Sequence, residues 1–293
     1  MDISSKPDDF LVSTIIPTHN RLRFLPRALE SVLSQTHQVG EIIVIDDGST
    51  DRTVEILSPQ YPSVRFIEQT NLGVSIARNT GITHARCPWV GFLDSDDKWE
   101  PTKIEKQVSH LSQNPGLKAI HTGEKWIRNG QHVNTPAFLD KSMQGLFERS
   151  LERCIICPSS VVLHSSVFEI IGLFDPALTI CEDYDYWLRL LLHFDIGYVD
   201  EQLVEKHGGH DDQLSTSTWG LDRFRVKSLE KILTKEKLGE IHKVKILEFI
   251  AKKTDLLSRG FQKHKKEKEA LDYVEKKVEA LRQISALTGS ISS

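Results

Sequence analysis

Three carboxylates lie within four residues in the segment FLDSDD, residues 92–97, directly after a run of apolar residues. Like charges this close repel one another, and a hard divalent cation such as Mg²⁺ or Mn²⁺ would relieve the repulsion through its preference for oxygen ligands. On an extended chain Asp94 and Asp96 would project to the same side and could face one ligand. The alternative is a solvated acidic turn that caps the following helix.

A second acidic pair, Asp46-Asp47, follows the apolar segment EIIVI at residues 41–45. An Asp-Gly turn that caps a helix is the alternative explanation for this pair. Arg78 lies in a segment with helical spacing, and its fork of donors suits a diphosphate or a base carbonyl. An ion pair with one of the nearby aspartates is the alternative role for Arg78.

Glu182 and Asp183 begin an aromatic-rich segment, EDYDYW. A carboxylate at a helix start beside apolar groups can serve as a general base, because an apolar wall raises its pKa toward neutrality. Capping of the helix N-terminus is the equal alternative. His207 opens the segment HGGHDD, residues 207–212, which predicts a glycine-rich loop that could contact metal or phosphate. A structural or merely exposed histidine is the alternative there.

The four cysteines are Cys87, Cys154, Cys157 and Cys181. One CxxC pair does not make a zinc site without a second pair or suitably spaced histidines. We therefore interpret the cysteines as small apolar core residues.

The segments that must position these residues alternate between strand and helix patterns. The predicted strands are residues 11–16, 41–45, 64–67 and 89–93, and Pro17 ends the first of them. The predicted helices are residues 27–33, 53–57 and 74–82. Ser49 or Thr50 would cap the helix at 53–57. Apolar strands that alternate with helices predict an α/β fold with a mostly parallel sheet covered on both faces. Ligands of such sheets bind beyond the carboxyl ends of the strands, so the polar residues 18–20, 46–47 and 94–97 should share one rim.

The later part of the chain predicts a helix at 101–111, a strand at 161–163 and a helix at 183–192. Composition changes near residue 220, which predicts a catalytic domain over 1–220 and a helical C-terminal extension over 221–293. In the extension, a short helical seam repeats at heptad-like spacing and is formed by Leu271, Val274, Val278 and Leu281. We interpret the lysines at 263, 265, 266 and 268 as a solvent-exposed helix face. Contact of these lysines with an anionic membrane surface is the alternative.

The bulk composition of the 293 residues is that of a globular protein, with 39% hydrophobic and 27% charged residues. A net charge of −4 gives no reason to expect a nucleic-acid partner. The sequence has neither a signal-like start nor a run of about 18 apolar residues. We expect a cytoplasmic protein, with peripheral contact at the inner membrane face left open.

Taken in order, the motifs resemble the inverting family 2 glycosyltransferases, which have the GT-A (Rossmann-like) fold. The resemblance covers about residues 13–215 and is carried by IIPTHNR (15–21), EIIVIDDGSTD (41–51), NLGVSIARNTGI (71–82), FLDSDD (92–97), PSSVVLHSSVFEIIGLFDPAL (158–178) and CEDYDYWLRL (181–190).

The resemblance implies roles for individual residues. Nucleotide-sugar binding falls to Pro17, Thr18, Asn20, Asp47, Arg78, Asp94, Ser95 and His207. In the DxD motif, Asp96 would coordinate Mn²⁺ or Mg²⁺ between the two phosphates, and Asp94 would contact the ribose or the metal. Asp183 would be the catalytic base, with Glu182 beside it.

The implied reaction moves a hexosyl or N-acetylhexosaminyl group from a nucleotide-sugar, with UDP as the family-level expectation, to a hydroxyl of a saccharide or lipid-linked acceptor. Cell-surface polysaccharide or glycolipid synthesis is the expected setting, and a homo-oligomer formed through the C-terminal helices stays open. A nucleotidyltransferase is the alternative enzyme, but it usually has a glycine-rich loop where residues 17–20 read PTHN. An inactive nucleotide-sugar-binding protein is the other alternative. We expect specificity to lie in loops between Ile120 and Arg153.

Overall fold

The computed structural model describes residues 10–134, 139–209 and 219–291, with the side chains of the last two residues left out. Its strands are Val12–Thr18 (β1), Glu41–Asp46 (β2), Val64–Glu68 (β3), Trp89–Phe92 (β4), Lys98–Trp99 (β5), Ala119–Arg128 (β6), Gln131–Val133 (β7), Val162–His164 (β8) and Gly197–Gly208 (β9). Its helices are Leu25–Leu33 (α1), Thr53–Leu57 (α2), Val74–His84 (α3), Lys103–Gln113 (α4), Leu146–Glu152 (α5), Ser166–Ile171 (α6), Glu182–His193 (α7), Asp222–Lys235 (α8), Glu240–Lys263 (α9) and Glu267–Ile291 (α10).

The first four strands form the parallel half of the sheet, in the order β3-β2-β1-β4. These strands and the helices between them confirm the predicted alternation. The predicted end of the first strand at Pro17 is wrong, because β1 continues to Thr18, which pairs with Asp46. The fixed φ of proline is compatible with an extended strand, and the Thr18 carbonyl accepts a hydrogen bond from the Asp47 amide at 2.8 Å.

The second half of the sheet is mixed and continues from β4 in the order β8-β6-β9-β5, with β7 paired to β6. Strand β8 is antiparallel to β4 and β6, whereas β9 lies parallel to β6 along most of its length. The prediction of loops between Ile120 and Arg153 is wrong, since this region contains β6, β7 and α5. His207 also lies in a strand, β9, rather than in a glycine-rich loop.

Each central strand buries both of its faces, which explains its unbroken apolar sequence. Ile15 and Ile43 belong to an apolar cluster that includes Trp187 of α7. Their neighbours Ile16 and Val44 belong to a second cluster, which includes residues of α1 and α4. Helices therefore cover the sheet on both sides, as predicted.

Helix α2 begins differently from the prediction. Neither Ser49 nor Thr50 caps it; Arg52 is the N-cap residue, in the left-handed region with φ of 63° and no side-chain cap. The Asp51 carboxylate accepts a hydrogen bond from the Thr53 amide at 3.1 Å. A carboxylate next to the first turn thus replaces the predicted hydroxyl cap.

The C-terminal extension is helical, as predicted, and it shares a core with the α/β part. Leu229, Ile246 and Ile250 pack in one cluster with Tyr184 of α7 and Leu151 of α5. The predicted boundary at residue 220 stays a prediction, although α8 begins just after it. Within the described residues, no helix is long and apolar enough to cross a membrane.

The predicted seam in α10 is wrong as a packing surface. Leu271, Val278 and Leu281 are exposed, whereas Ala270 and Ala280 are buried. Other large residues of α10, namely Tyr273, Ile284 and Leu287, pack against the neighbouring clusters.

Candidate functional site

The acidic segment after β4 forms a tight turn at the carboxyl edge of the parallel strands. The Asp97 amide donates to the Asp94 carbonyl at 2.9 Å, so the extended geometry expected for Asp94 and Asp96 is wrong. Asp94 and Asp96 are half-buried, whereas Ser95 and Asp97 are buried. The turn therefore presents two of its three carboxylates toward solvent.

Asp97 is the carboxylate of the acidic turn that other groups of the protein hold by hydrogen bonds. It accepts hydrogen bonds from the Ser159 hydroxyl at 2.6 Å and from the His207 amide at 3.0 Å. Burial raises its pKa well above the ordinary value, and the neighbouring Asp96 and Asp94 add to that rise. Asp97 thus ties the acidic turn to β9 and to Ser159.

Arg78 connects the acidic turn to the second acidic centre. Its guanidinium is 3% exposed and donates to Asp94 at 2.8 Å and to Glu182 at 2.6 Å. The ion-pair alternative for Arg78 is therefore confirmed, and its role toward the nucleotide-sugar stays a prediction. This bridge fixes the start of α7 relative to the turn after β4.

Glu182 and Asp183 lie in the first turn of α7, as predicted. Burial raises the pKa of Glu182 to about 7, although the Arg78 charge acts to lower it. The partly exposed Asp183 accepts a hydrogen bond from the Cys154 thiol at 3.2 Å. Of the two, Asp183 is the carboxylate that is more exposed to solvent.

The four cysteines are free thiols. Burial raises the pKa of Cys154 well above its usual value and that of Cys181 to about 12. These thiols stay protonated at neutral pH, which suits neither metal ligation nor nucleophilic attack. Cys154 nevertheless does more than fill space, since it contacts Asp183.

At the ends of β1 and β2, the structure brings the predicted nucleotide-sugar-binding residues Pro17, Thr18, Asn20 and Asp47 to the same edge. The Asp47 carboxylate accepts from Gln69 at 2.7 Å and from the backbone amides of residues 72 and 73, so it anchors the start of α3. Pro17 is buried, and exposed Asn20 accepts from the Thr50 amide at 2.7 Å.

Two buried acceptor atoms at this edge, Thr18 Oγ1 and Asp46 Oδ2, lack hydrogen-bond partners among the described residues. Sequence reasoning assigned a nucleotide contact to Asp47 and not to Asp46. Both follow the same strand, and the sequence offers no signal to choose between them.

His207 lies beside Arg27 and follows Lys206 in β9, and the sequence analysis missed both of these cations. Its ring contacts Arg27 at 3.1 Å and Glu205 at 3.2 Å, and burial lowers its pKa. Arg27 also donates to the Asp96 carbonyl. Lys206 was recognisable as the neighbour of His207, whereas nothing in its helical pattern singles out Arg27. Residues 210–212 of the HGGHDD segment lie outside the described residues.

A cavity of about 570 Å³ adjoins this site. His207, Lys206 and Cys154 line it together with residues of β6, α8 and α9. Asp47, Asp94, Asp96 and Asp183 are not part of this lining, and Cys154 is the lining residue that contacts Asp183.

The donor set for a divalent cation is small. Within the described residues, no group of three or more His, Cys, Asp and Glu side chains is arranged to hold a metal ion. Mg²⁺ typically takes one or two carboxylates and completes its shell with water and substrate phosphates. Half-buried Asp94 and Asp96 fit that requirement as a pair.

Comparison with known proteins agrees with this geometry. Residues 13–169, more than half of the chain, match the family described as glycosyl transferase family 2. The chain belongs to this family. The match begins in β1 and ends in α6, so it includes the acidic turn and Arg78 but neither Asp183 nor the helical extension.

Relatives in the family extend the similarity further along the chain. An uncharacterized glycosyltransferase of Rickettsia typhi is 30% identical over 212 residues, which cover 71% of this chain and 66% of the relative. Chondroitin synthase of Escherichia coli is 32% identical over 188 residues, which cover 61% of this chain and 26% of the synthase. The chain thus spans less than two thirds of the length of these relatives.

The fold is also found in a solved structure. The structure of S. aureus TarS 1-349 in complex with UDP-GlcNAc matches with a TM-score of 0.72 at 20% identity, over 94% of this chain and 83% of that one. The similarity reaches into the helical extension and identifies the fold as GT-A with a C-terminal helical region.

Proposed function

We propose that this chain is an inverting glycosyltransferase that transfers a sugar from a UDP-sugar to a hydroxyl group of a saccharide or lipid-linked acceptor. The observation that carries the proposal is the Arg78 bridge between Asp94 and Glu182. The bridge ties the acidic turn, which faces the donor, to the helix that carries Asp183.

Each carboxylate then has its own task. Departure of the nucleoside diphosphate builds negative charge, and positive groups nearby stabilise that charge where it develops. Arg27 and Lys206 lie next to the acidic turn and provide fixed positive charge. Asp94 and Asp96 would hold Mn²⁺ or Mg²⁺, which supplies Lewis-acid charge for the diphosphate when bound.

Asp183 takes the proton of the attacking hydroxyl as general base. The Cys154 thiol orients this carboxylate by hydrogen bonding and stays neutral, so it does not cancel the charge on the base. Attack from the face opposite the leaving diphosphate inverts the anomeric centre in one displacement. No covalent carboxylate intermediate is required.

The relatives support the substrate class. TarS was crystallised with UDP-GlcNAc, and the E. coli relative is named for synthesis of a polysaccharide, chondroitin. We therefore propose a UDP-sugar donor and a role in polysaccharide or glycolipid assembly.

A pair of variants tests the assignment, with UDP-GlcNAc and Mn²⁺ as first probes. Asp96→Asn should lose Mn²⁺-dependent UDP binding by calorimetry. Asp183→Asn should keep UDP binding and lose donor turnover by about 10²–10⁴-fold, the usual contribution of a general base. Exposed Asp195 is the matched control, and Asp195→Asn should behave like the unmodified protein.

Three outcomes would contradict the proposal. Full turnover in Asp183→Asn would remove this residue as the base. Release of pyrophosphate rather than nucleoside diphosphate would indicate a nucleotidyltransferase. If a thermal-shift screen of nucleotide-sugars shows stabilisation without turnover of any bound donor, the chain is an inactive binding protein.

A further inference from the structure

Ser159 is a fully buried serine that holds the acidic turn, residues 94–97, at both of its ends. Its hydroxyl accepts a hydrogen bond from the Asp94 amide at 3.1 Å and donates one to the Asp97 carboxylate at 2.6 Å. Because an amide can only donate, the Ser159 oxygen must accept from Asp94, and its single proton is left for Asp97. One hydroxyl thus fixes the first and the last residue of the turn.

The backbone that carries this hydroxyl is itself held by other elements. Ser159 lies in a short 3₁₀ helix, Pro158–Ser160, which precedes β8. Its carbonyl accepts a hydrogen bond from the buried indole of Trp99 at 2.7 Å. The carbonyl of Ser160 accepts one from Gln107 at 3.0 Å. Since these donors belong to β5 and α4, the hydroxyl is presented from a fixed position, as a precise site requires.

Asp96 lies between the two residues that Ser159 holds. The Asp97 amide donates to the Asp94 carbonyl at 2.9 Å and closes the turn from inside. Arg27 donates to the Asp96 carbonyl. The backbone around Asp96 is therefore fixed, and this determines where its half-buried carboxylate can lie relative to that of Asp94.

We propose that Ser159 is a positioning residue for the divalent cation of the transferase reaction, because it sets the spacing of Asp94 and Asp96 before the cation and the diphosphate bind. The inference rests on the proposed function, in which this pair holds Mn²⁺ or Mg²⁺. Mg²⁺ demands nearly ideal geometry, so carboxylates with a variable separation would bind it more weakly. Groups that orient metal ligands typically contribute about 10–100-fold to metal affinity.

Ser159→Ala tests the inference on the full-length protein, by calorimetric titration of UDP in Mn²⁺ and in EDTA. In Mn²⁺, UDP should bind to the variant at least about tenfold more weakly than to the wild type, whereas the affinity in EDTA should be unchanged. The Mn²⁺ concentration for half-maximal donor hydrolysis should rise by a comparable factor. If Ser159 only filled space, its loss would lower stability and leave the cation dependence of the folded protein unchanged.

Ser160→Ala is the matched control. Ser160 is also fully buried, and its hydroxyl donates to the Cys157 carbonyl at 2.7 Å and not to the acidic turn. The two variants remove the same atom from adjacent positions, and Ser160→Ala should keep the wild-type UDP affinity in Mn²⁺.

Ser159→Cys provides a second test. A thiol nearly preserves the size of the side chain but is a weaker donor and acceptor, so the UDP affinity in Mn²⁺ should lie between those of the wild type and Ser159→Ala. Circular dichroism shows whether each variant folds, and Ser159→Cys replaces Ser159→Ala if the latter does not.

The outcomes separate this inference from the proposed function. Wild-type UDP affinity in Mn²⁺ for Ser159→Ala, or for Ser159→Cys in its place, overturns the inference. An equal loss in Ser160→Ala also overturns it, because that loss would reflect packing alone. UDP binding by the wild type that does not depend on Mn²⁺ overturns it as well, since the turn would then hold no cation. Absence of both UDP binding and donor hydrolysis in the wild type instead refutes the proposed function itself.

Discussion

Replacing Arg78 with glutamine is expected to lower the free energy of unfolding by about 1–3 kcal/mol at pH 8. Deleting one partner of a buried ion pair can cost about 3–5 kcal/mol, but Glu182, with its pKa of about 7, can take up a proton once Arg78 is gone, and this limits the loss. Most of the loss comes from buried Glu182, because the side chain of Asp94 is 28% exposed and contributes less than about 1 kcal/mol. The loss should shrink at pH 5, where Glu182, with its pKa near 7, is already neutral.

Urea unfolding followed by tryptophan fluorescence and circular dichroism measures this effect. Arg65→Gln is the matched control, since Arg65 pairs with Glu41 at 2.7 Å on a half-exposed surface and should cost about 0–1 kcal/mol. Adding Glu182→Gln to Arg78→Gln should recover much of the loss by removing the unpaired carboxylate. Equal costs for the two arginine variants, or no recovery in the double variant, would refute the reasoning.

Three further outcomes follow from single side chains. Gly81→Ala should lower the free energy of unfolding by about 1–3 kcal/mol, because the new Cβ would lie 2.3 Å from a methyl carbon of Ile15. Gly116 has open space around it, so Gly116→Ala should leave the free energy of unfolding nearly unchanged in the same urea assay. Because the pKa of Glu182 is raised to about 7, the free energy of unfolding of the wild type relative to Glu182→Gln should be highest below about pH 4.5. It should fall by up to about 3 kcal/mol as the pH rises through 7. A difference between the two proteins that does not change with pH would contradict this prediction. Leu271→Gln should change stability by less than about 0.5 kcal/mol, since Leu271 is 57% exposed, and a loss above about 2 kcal/mol would mean that α10 packs through this face.

The parallel half of the fold was predictable because its sequence signals are local. Residues 41–45 are apolar throughout, and Ile43 and Val44 bury into opposite clusters. A strand that is buried on both faces needs this composition. The same argument places Asp46 and Asp94 at one edge, since the carboxyl ends of parallel strands meet there.

The second half of the sheet was not predictable in the same way. Strand β6 reads AIHTGEKWIR, with charged residues inside it and a change of register near Gly123. Its pairing with β9 joins segments about 80 residues apart, and Glu124 is buried because Lys141 pairs with it at 2.8 Å. Such long-range partners are invisible to periodicity, and this is why His207 was expected in a loop.

The site shows the same division between local and long-range information. Motif spacing singled out the acidic turn, Arg78 and Glu182, which the structure brings together. Arg27 belongs to the site only because α1 packs beside the turn after β4 and reaches the Asp96 carbonyl. No local pattern distinguishes that arginine from a surface arginine on an amphipathic helix.

The three aspartates of the acidic turn show why neighbouring identical residues need separate explanations. Repulsion alone would disfavour three carboxylates in one turn, and the protein lowers it in two ways. Asp94 pairs with Arg78, and Asp97 accepts hydrogen bonds from Ser159 and His207 while burial raises its pKa. The two outer aspartates thereby help to fix α7 and β9 around the turn. Asp96 is half-buried at the surface of the turn. Substitution there should affect cation-dependent binding more than folding.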